Sequence, residues 1–520
     1  MHRRDFVIRA GATAIVFPGM GAAQSVEKAA PLARIALGEL RGSWRDGVAA
    51  FHGVPYAAPP VGELRFAAAT SAAPWTGQRD ATRHGSVPPQ LPARLSMVLG
   101  ESPPRPQGED CLSLTICTPA PDAKGRPVIV WLHGGAWLSG AGSLDRFDGS
   151  RLAREGDLVF VGVNYRLGAL GWMRPPGIEE VGPGSSDIIA ALVWVRDHIA
   201  SFGGDPARVT IMGQSAGSNS IGHMLMIPAA RDLFRRAIMQ SSWLGFRFHT
   251  PAEASERAGQ YLRLLDIDPR ASDALSQLRA LEVPALLKAQ GGLLRANARF
   301  ARTTPPFVPV VPTAMTHKET IAAITDGIGR AGEAGAKDIL IGSTANEAHA
   351  FFAVDPAMNN PTAEAIAARF GDEEKLVRYR ARRPDASSLD LLADLETDET
   401  FLGPTMQLAD AIAGRGGNVY AYLFDWAPPV SRFKACHAID LPFAFGTFET
   451  YRDAPMLAGG DMTQMTVLSA AMRRAWITFA HKGTPGHEEL PPWPRYDGTG
   501  RPAMRFGTPS RIVNDPAGLG

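Results

Sequence analysis

Cysteine, surplus charge and long apolar runs are all scarce in this chain of 520 residues. The three cysteines, Cys111, Cys117 and Cys436, cannot all pair with one another, which excludes a disulfide-stapled scaffold. Lysine plus arginine (53) nearly cancels aspartate plus glutamate (52), and no long basic run occurs. This balance argues against nucleic acid or an anionic membrane surface as a partner. No apolar stretch reaches the ~20 residues that a membrane span needs. These absences leave a globular protein of ordinary composition.

The N-terminus has the pattern of an export signal. Twin arginines at positions 3 and 4 precede a weakly apolar stretch over 10–20, and small residues at 21–23 offer a cleavage site. The pattern predicts a Tat-type signal peptide over residues 1–23 and a periplasmic or secreted mature protein. His2 stands where such signals usually carry Ser or Thr, and an arginine-rich disordered tail is the alternative.

Apolar runs separated by a helical pattern predict a parallel sheet. The runs 127–133 and 158–164 suit strands that are buried on both faces. A helix follows over 185–202, with Ser185 or Ser186 as its expected cap, and another strand begins near Val209. Strand, helix, strand with short connections is a βαβ unit. We therefore predict an α/β fold with a central, mostly parallel sheet.

The rest of the chain adds an N-terminal hairpin, further strands and helical insertions. A hairpin is expected over 33–40, and a Pro-rich loop over 88–107. Later strands are expected at 111–117, 234–240, 338–342 and 419–424, the last with an alternating pattern, and helices at 250–330, 361–415 and 466–481. No internal repeat or low-complexity linker interrupts this alternation. Residues 24–520 are therefore interpreted as one large domain.

A strand-turn-helix at 209–226 carries the strongest chemical motif. The strand ends in Gly213-Gln214-Ser215-Ala216-Gly217, which has the form of a nucleophile elbow. Glycine at 213 and 217 removes the Cβ atoms that would collide in so sharp a turn. The alternative, a small-residue turn without function, explains the glycines but not the serine between them. Ser215 is the candidate nucleophile, and the N–H of Ala216 could donate to an oxyanion.

Glycines also end the strand at 127–133. Gly134-Gly135-Ala136-Trp137 could turn backbone N–H groups toward a ligand, as an oxyanion hole requires. A simple tight turn explains the same residues equally well.

A serine nucleophile needs a histidine base and a carboxylate that orients it. Among the histidines after Ser215, only His437 lies on a loop soon after a convincing strand. Glu347 leaves the strand at 338–342 and is the favoured acid, while Asp425 and Asp440 remain alternatives.

The whole set of motifs resembles the type-B carboxylesterase family of the α/β-hydrolases, which includes para-nitrobenzyl esterases and cholinesterases. The resemblance extends from about residue 33 to residue 506. It is carried, in order, by Phe51-His52-Gly53-Val54-Pro55-Tyr56-Ala57, Leu64-Arg65-Phe66, Glu109-Asp110-Cys111-Leu112, Trp131-Leu132-His133-Gly134-Gly135-Ala136-Trp137, Asn164-Tyr165-Arg166, Phe202-Gly203-Gly204-Asp205-Pro206, the elbow, Arg236-Ala237-Ile238-Met239-Gln240-Ser241, Ile341-Gly342, Asn346-Glu347, and His437 with Leu441-Pro442-Phe443.

The resemblance implies an α/β-hydrolase fold and a role for each candidate residue. It makes Ser215, Glu347 and His437 the catalytic triad, without a metal or an organic cofactor. It implies an oxyanion hole formed by the N–H groups of Gly135, Ala136 and Ala216. Two further residues, Ser241 and Gln214, would lie beside the triad in supporting positions. Two structural ion pairs are also implied, Arg65 with Glu109 and Arg166 with Asp187.

Departures from the family pattern bear on the substrate. Gln214 replaces the usual Glu beside the nucleophile, Ala348 replaces the usual Gly after the acid, and Ser218 replaces a Gly after the elbow. The loop over 90–108 lacks the tryptophan with which cholinesterases hold a quaternary ammonium group. A choline ester is therefore disfavoured. The partner that family members usually supply for Cys111 is also missing, so this cysteine is expected to be unpaired.

The function hypothesis is a serine carboxylic-ester hydrolase that acts on a small-to-medium ester. The alternatives are an amide or carbamate hydrolase with the same triad, a non-catalytic binding relative, and an interfacial lipase. A lipase would be expected to carry a long apolar lid, and the region 250–330 is too mixed in charge for one. Natural substrate and oligomeric state are not encoded in these motifs.

Overall fold

A computed structural model of the protein describes residues 29–175, 182–301, 305–330, 332–333 and 335–518. The predicted signal peptide over 1–23 lies outside these residues. The described strands, numbered in chain order, are β1 (Leu32–Ile35), β2 (Gly38–Arg41), β3 (Ser43–Arg45), β4 (Val48–Pro55), β5 (Gln78–Asp80), β6 (Ser113–Thr118), β7 (Arg126–Leu132), β8 (Val159–Val163), β9 (Gly204–Gln214), β10 (Arg236–Gln240), β11 (Asp338–Thr344), β12 (Val419–Phe424), β13 (Pro502–Phe506) and β14 (Arg511–Asn514).

Helices follow or separate most of these strands. They are α1 (Ser96–Leu99), α2 (Ser150–Gly156), α3 (Gly168–Trp172), α4 (Pro183–His198), α5 (Ala216–Met226), α6 (Pro228–Arg231), α7 (Pro251–Arg263), α8 (Ala274–Ala280), α9 (Val283–Ala296), α10 (His317–Ile328), α11 (Ala348–Phe352), α12 (Ala363–Phe370), α13 (Glu373–Arg382), α14 (Ser388–Thr397), α15 (Gly403–Ala413), α16 (Leu441–Phe445) and α17 (Met462–Lys482). Among the described residues, no helix is both long and apolar enough to cross a membrane.

One mixed sheet of eleven strands forms the centre of the molecule. Its order is β14-β13-β12-β11-β10-β9-β7-β8-β6-β4-β3, and a small sheet, β1-β2-β5, lies apart from it. The seven neighbours from β13 to β8 are parallel, and the flanking strands are antiparallel. The predicted mostly parallel sheet is thus confirmed, as is the N-terminal hairpin, formed by β1 and β2.

The central strands are apolar because both of their faces are covered. All seven residues of β7 are buried. Val128, Val130 and Leu132 join the core on one face of the sheet, while Ile129 and Trp131 join the core on the other. Alternate side chains of a strand point to opposite faces, so a continuous apolar run serves both cores. Each such side chain contributes about 1.5–3 kcal/mol on burial.

Several predicted element boundaries require correction. Neither Ser185 nor Ser186 caps α4. The cap is Gly182, no side chain caps this end, and Pro183 occupies the first turn. Proline suits that turn because its missing N–H would be unpaired there in any case. Strand β12 is buried along its whole length rather than on alternate residues. Helix α17 begins four residues before the predicted start, where Asp461 accepts hydrogen bonds from Thr463 and Gln464.

Two ion pairs, one buried and one partly buried, fix loops beside the sheet, as the family resemblance implies. Arg166 lies at the end of β8, and its Nη2 donates to Asp187 Oδ1 of α4 at 2.6 Å. Both side chains are almost fully buried. Arg65 Nε donates to Glu109 Oε1 at 2.7 Å. Such pairs set geometry more than they add stability, because desolvation offsets most of the attraction.

Candidate active site

Ser215 forms the sharp turn between β9 and α5. Its backbone has φ 56° and ψ −124°, a combination that is strained for any residue with a side chain. Glycine is required at positions 213 and 217, because a side chain there would collide with neighbouring backbone atoms. A Cβ on Gly217 would lie 2.0 Å from the carbonyl oxygen of Leu132, and one on Gly213 would lie 2.7 Å from the carbonyl carbon of Gly217. The elbow can therefore pack directly on the end of β7 only with glycine at both positions.

Glu347 and His437 meet beside this turn. His437 Nδ1 lies 2.5 Å from Glu347 Oε2. The other carboxylate oxygen, Oε1, accepts the backbone N–H of Thr344 at 2.7 Å. Both side chains are buried. Because Glu347 follows β11 and His437 follows β12, neighbouring parallel strands bring together residues that are 90 positions apart. The carboxylate fixes the orientation of the imidazole ring.

Gln214 contacts the opposite edge of the same ring. Its Nε2 lies 3.1 Å from His437 Nε2. An amide nitrogen only donates, so the ring nitrogen accepts, and the imidazole proton then resides on Nδ1, facing Glu347. This tautomer places on Nε2 the lone pair that a general base needs. In this structure that lone pair accepts from Gln214 rather than from Ser215. Ser215 is nearly buried, with 8% of the residue exposed.

Two aromatic rings cover the imidazole of His437. The centroids of Phe351 and Phe401 lie 4.9 Å and 5.2 Å from that of the imidazole. Phe351 belongs to α11, which begins directly after Glu347. Phe401 belongs to a π-helical turn, Asp398–Leu402, that joins α14 to α15. The rings shield the acid-base pair from water, which strengthens its electrostatic interaction. Sequence reasoning missed both, because neither lies in a motif.

The loop after β7 presents free backbone N–H groups. Gly135 has φ 118° and Ala136 has φ 57°. The turn closes on itself through the carbonyl of Gly135, which accepts from Leu138 and Ser139. Among the described residues, no atom accepts the N–H groups of Gly135, Ala136 or Ala216. Ala216 lies at the N-terminus of α5, where the helix dipole favours negative charge.

The remaining candidate residues lie near the triad in different roles. Ser241 ends β10 as a buried residue with φ 49°, and among the described residues its hydroxyl has no partner. Asp440 is buried and accepts from Gln240 Nε2 at 2.8 Å. Burial raises the pKa of Asp440 to about 6. Asp425 pairs with Arg505. Within the described chain, neither aspartate accepts a hydrogen bond from His437, so the geometry favours Glu347.

A cavity of about 750 Å³ lies behind the rings that cover His437. Its lining includes the aromatic side chains of Phe351, Phe401 and Trp243. It also includes charged side chains from α12, α13 and the π-helical turn. The predicted helical insertions therefore form walls next to the site.

The chain is similar to known proteins along nearly its whole length. The profile of the carboxylesterase family matches residues 29–517. The chain belongs to the carboxylesterase family. This membership confirms the resemblance and the interpretation of the protein as a carboxylesterase.

Similar proteins match the carboxylesterase over nearly its whole length. Phenmedipham hydrolase of Pseudarthrobacter oxydans is 36% identical over 474 residues, which are 90% of this chain and 93% of that protein. Para-nitrobenzyl esterase of Bacillus subtilis (strain 168) is 34% identical over 492 residues, covering 92% and 95%. A solved structure of a PNB esterase superposes with a TM-score of 0.80 at 33% identity, covering 94% of this chain and 97% of the other. The α/β-hydrolase fold is thereby established.

Proposed function

We propose that this carboxylesterase hydrolyses its substrate through an acyl-enzyme on Ser215, with His437 as general base and Glu347 as the orienting acid. The observation that carries the proposal is the 2.5 Å contact between His437 and Glu347 next to a serine held in a strained turn. Membership of the family supports ester hydrolysis. The residue roles are the part that experiment must decide.

In the first half-reaction, His437 Nε2 takes the proton of the Ser215 hydroxyl while the serine oxygen attacks the carbonyl carbon. The carbonyl electron pair moves onto its oxygen, where the N–H groups of Gly135, Ala136 and Ala216 stabilise the negative charge. Collapse of the intermediate expels the alcohol, which takes the proton from His437. Water, activated by His437, then attacks the acyl-enzyme and releases the acid. Glu347 remains ionised and stabilises the imidazolium.

Burst kinetics test this route. Mature protein and a Ser215→Ala variant are mixed with para-nitrophenyl acetate and para-nitrophenyl butyrate, and nitrophenol release is followed at millisecond resolution. We expect a burst followed by turnover, with both lost in the variant. Turnover that persists undiminished in folded Ser215→Ala protein would contradict the assignment of the nucleophile.

The substrate class is proposed as a small-to-medium uncharged ester rather than a choline ester. Gln214 supplies no negative charge next to Ser215, and no tryptophan is present over 90–108 to hold a cation. A carbamate hydrolase with the same triad is also compatible with the relatives. A comparison of kcat/KM for matched ester, carbamate and choline ester substrates separates these classes.

We further propose export through a Tat-type signal to the periplasm or beyond. The twin arginines at 3 and 4, the weakly apolar stretch and the small residues at 21–23 support it. Cell fractionation of the full chain and of an Arg3→Lys, Arg4→Lys double variant tests it. Equal periplasmic esterase activity from both would argue against this route.

A further inference from the structure

The segment that follows β7, residues 133–140, adopts a backbone that it cannot hold by itself. Positive φ angles recur along it, at Gly135, Ala136, Trp137 and Gly140. Two of these residues carry side chains, for which this region is strained. A stretch of this kind persists only where its surroundings determine it. Because the free N–H groups of Gly135 and Ala136 lie here, the contacts that hold the segment also determine the oxyanion site.

The first part of the segment is held by two side-chain hydrogen bonds. Trp137 Nε1 donates to Ser220 Oγ of α5 at 2.9 Å. Tyr165 donates its hydroxyl proton to the carbonyl of His133 at 2.6 Å. These bonds connect the segment to the nucleophile helix and to the loop after β8.

The other end is held by Gln90, whose side-chain amide pairs with the peptide groups of Gly140. Gln90 Oε1 accepts the N–H of Gly140 at 2.7 Å, and Gln90 Nε2 donates to the carbonyl of Gly140 at 3.0 Å. The amide is itself oriented, because Nε2 also donates to Pro88 at 2.9 Å and the backbone N–H of Gln90 donates to Gln107 Oε1 at 2.9 Å. A two-point contact of this kind fixes both position and direction.

The effect of this contact reaches the oxyanion site through direct packing. A Cβ on Gly140 would lie only 2.8 Å from the carbonyl oxygen of Gly134, so the two backbones lie close together. The same oxygen lies 2.8 Å from His133 Nδ1. The carbonyl of Gly134 and the N–H of Gly135 belong to one planar peptide unit. A fixed Gly140 therefore restricts the direction of the Gly135 N–H.

We propose that Gln90 is a positioning residue for the oxyanion hole of this carboxylesterase. It does not touch the substrate. It acts by holding Gly140, and through it the peptide of Gly134 and Gly135, in the orientation in which the N–H points at the developing oxyanion. This inference rests on the proposed acyl-enzyme route. It also gives a role to the loop over 88–107, which no disulfide closes, because all three cysteines are free.

The decisive variant is Gln90→Leu, which keeps the size of the side chain and removes both hydrogen bonds to Gly140. We expect kcat for para-nitrophenyl butyrate to fall about 10- to 100-fold, somewhat less than the ~10²–10³ that follows loss of an oxyanion donor itself. KM should stay within about threefold, because ground-state binding does not use the oxyanion donors. A trifluoromethyl ketone, which forms a charged hemiketal on Ser215, should bind more weakly by the same factor by which kcat/KM falls.

A second variant and a control keep the test interpretable. Gln90→Glu can still accept from Gly140 but cannot donate to its carbonyl, so it should lie between the wild type and Gln90→Leu. If Gln90→Leu does not fold, the kcat of Gln90→Glu tests the positioning role of Gln90 instead. Arg105→Ala removes a contact of the same loop with Asp145, without touching Gly140, and should retain nearly full activity.

The outcomes separate this inference from the function on which it rests. A folded Gln90→Leu protein with kcat within twofold of the wild type would overturn the role of Gln90. So would a loss confined to KM, or a loss of activity without weaker binding of the trifluoromethyl ketone. Wild-type turnover that survives in Ser215→Ala would instead contradict the acyl-enzyme route itself.

Discussion

At the scale of single residues, the orientation of His437 depends on a carboxylate that has two hydrogen-bond partners. Glu347 receives the imidazole Nδ1–H and the N–H of Thr344, one on each oxygen. No other acid in the described chain makes this contact. Carboxylate-to-amide substitutions, which replace one oxygen by nitrogen, can therefore test which acid orients His437.

Glu347→Gln should lower kcat about 10³-fold or more. An amide nitrogen facing Nδ1 would donate to it and favour the tautomer in which Nε2 carries the proton, so that the base is lost. Stopped-flow measurement of acylation with para-nitrophenyl butyrate gives the value. The matched control is Asp440→Asn, a change at the other buried carboxyl near His437, which should cost less than about tenfold. The opposite order of effects would make Asp440 the acid.

The residues of the site differ in how far the sequence alone could identify them. Ser215 could be found from its own neighbours, because the elbow is a local structure. From position in the sequence alone, His437 was the favoured base and Glu347 one of three candidate acids, since their contact depends on strand order. The family resemblance was needed to assign both. Gln90 could not be found, because its partner is the backbone of Gly140, fifty positions away. Every residue has a backbone carbonyl, so the sequence does not indicate which one a side chain will bind.

At the scale of elements, the close approach of α5 to β7 determines where the nucleophile can be. The helix begins one residue after Ser215, and its first glycine touches the carbonyl of Leu132. A buried ion pair plays a comparable part by joining Arg166, in the loop after β8, to Asp187 of α4. Neither contact can be changed without moving the backbone or leaving a charge buried without a partner.

Gly217→Ala should destabilise the protein by about 2 kcal/mol or more and remove most of its activity. The new methyl group would lie 2.0 Å from a backbone oxygen that cannot rotate away. Gly222→Ala on the same helix is the control. Its methyl group would meet the movable end of Ile324 at 3.2 Å, and alanine is the better helix former. Urea unfolding should place Gly222→Ala within about 1 kcal/mol of the wild type, and equal losses for both variants would refute the packing argument.

Asp187→Asn should cost about 3–5 kcal/mol, because it leaves the charge of Arg166 buried without a counter-ion. Asp197→Asn, near the end of the same helix, breaks a largely exposed pair with Arg196 and should cost less than about 1 kcal/mol. Chemical denaturation of the two variants provides the comparison. A loss for Asp187→Asn no greater than that for Asp197→Asn would show that the burial of the pair is irrelevant.

Element boundaries were predicted less well than element types, for identifiable reasons. The predicted serine cap of α4 was wrong because Pro183 can occupy the first turn and needs no donor partner there. The strand at 419–424 shows a polar-apolar alternation in its letters, yet tyrosine side chains can be buried on either face. Helix α17 extends beyond its expected start because Asp461, rather than an apolar residue, sets its first turn.

At the scale of the whole molecule, burial keeps several imidazoles neutral. Burial lowers the pKa of His52, His133, His223 and His249 to about 4, and that of His84 to about 3. In the unfolded chain these groups have pKa values near 6.5. The unfolded state therefore binds more protons than the folded state between about pH 6.5 and pH 4.

Stability should accordingly fall as the pH is lowered through this window. Each pKa unit of difference corresponds to about 1.4 kcal/mol once the unfolded group is protonated. Burial raises the pKa of Asp398 and Asp440 to about 6, which opposes the trend, but these are two groups against five. Melting temperatures measured from pH 7.5 to pH 4.5 should decrease steadily, and His52→Met should flatten the curve. A constant melting temperature would contradict this account.

The overall architecture was the most predictable level. Continuous apolar runs and their helical separators identified a parallel sheet, because only strands covered on both faces have that composition. The order of the eleven strands could not be predicted from the sequence, since each pairing depends on which other strands compete for the same edge.

The three buried, unpaired thiols have one more consequence. Burial raises the pKa of Cys117 to about 12 and those of Cys111 and Cys436 further still, so none of the three ionises at physiological pH. A thiol that is neither ionised nor exposed reacts slowly with oxidants and alkylating agents. The described fold is therefore not stabilised by disulfide bonds. Because the described fold contains no disulfide, its covalent structure is the same under reducing and under oxidising conditions.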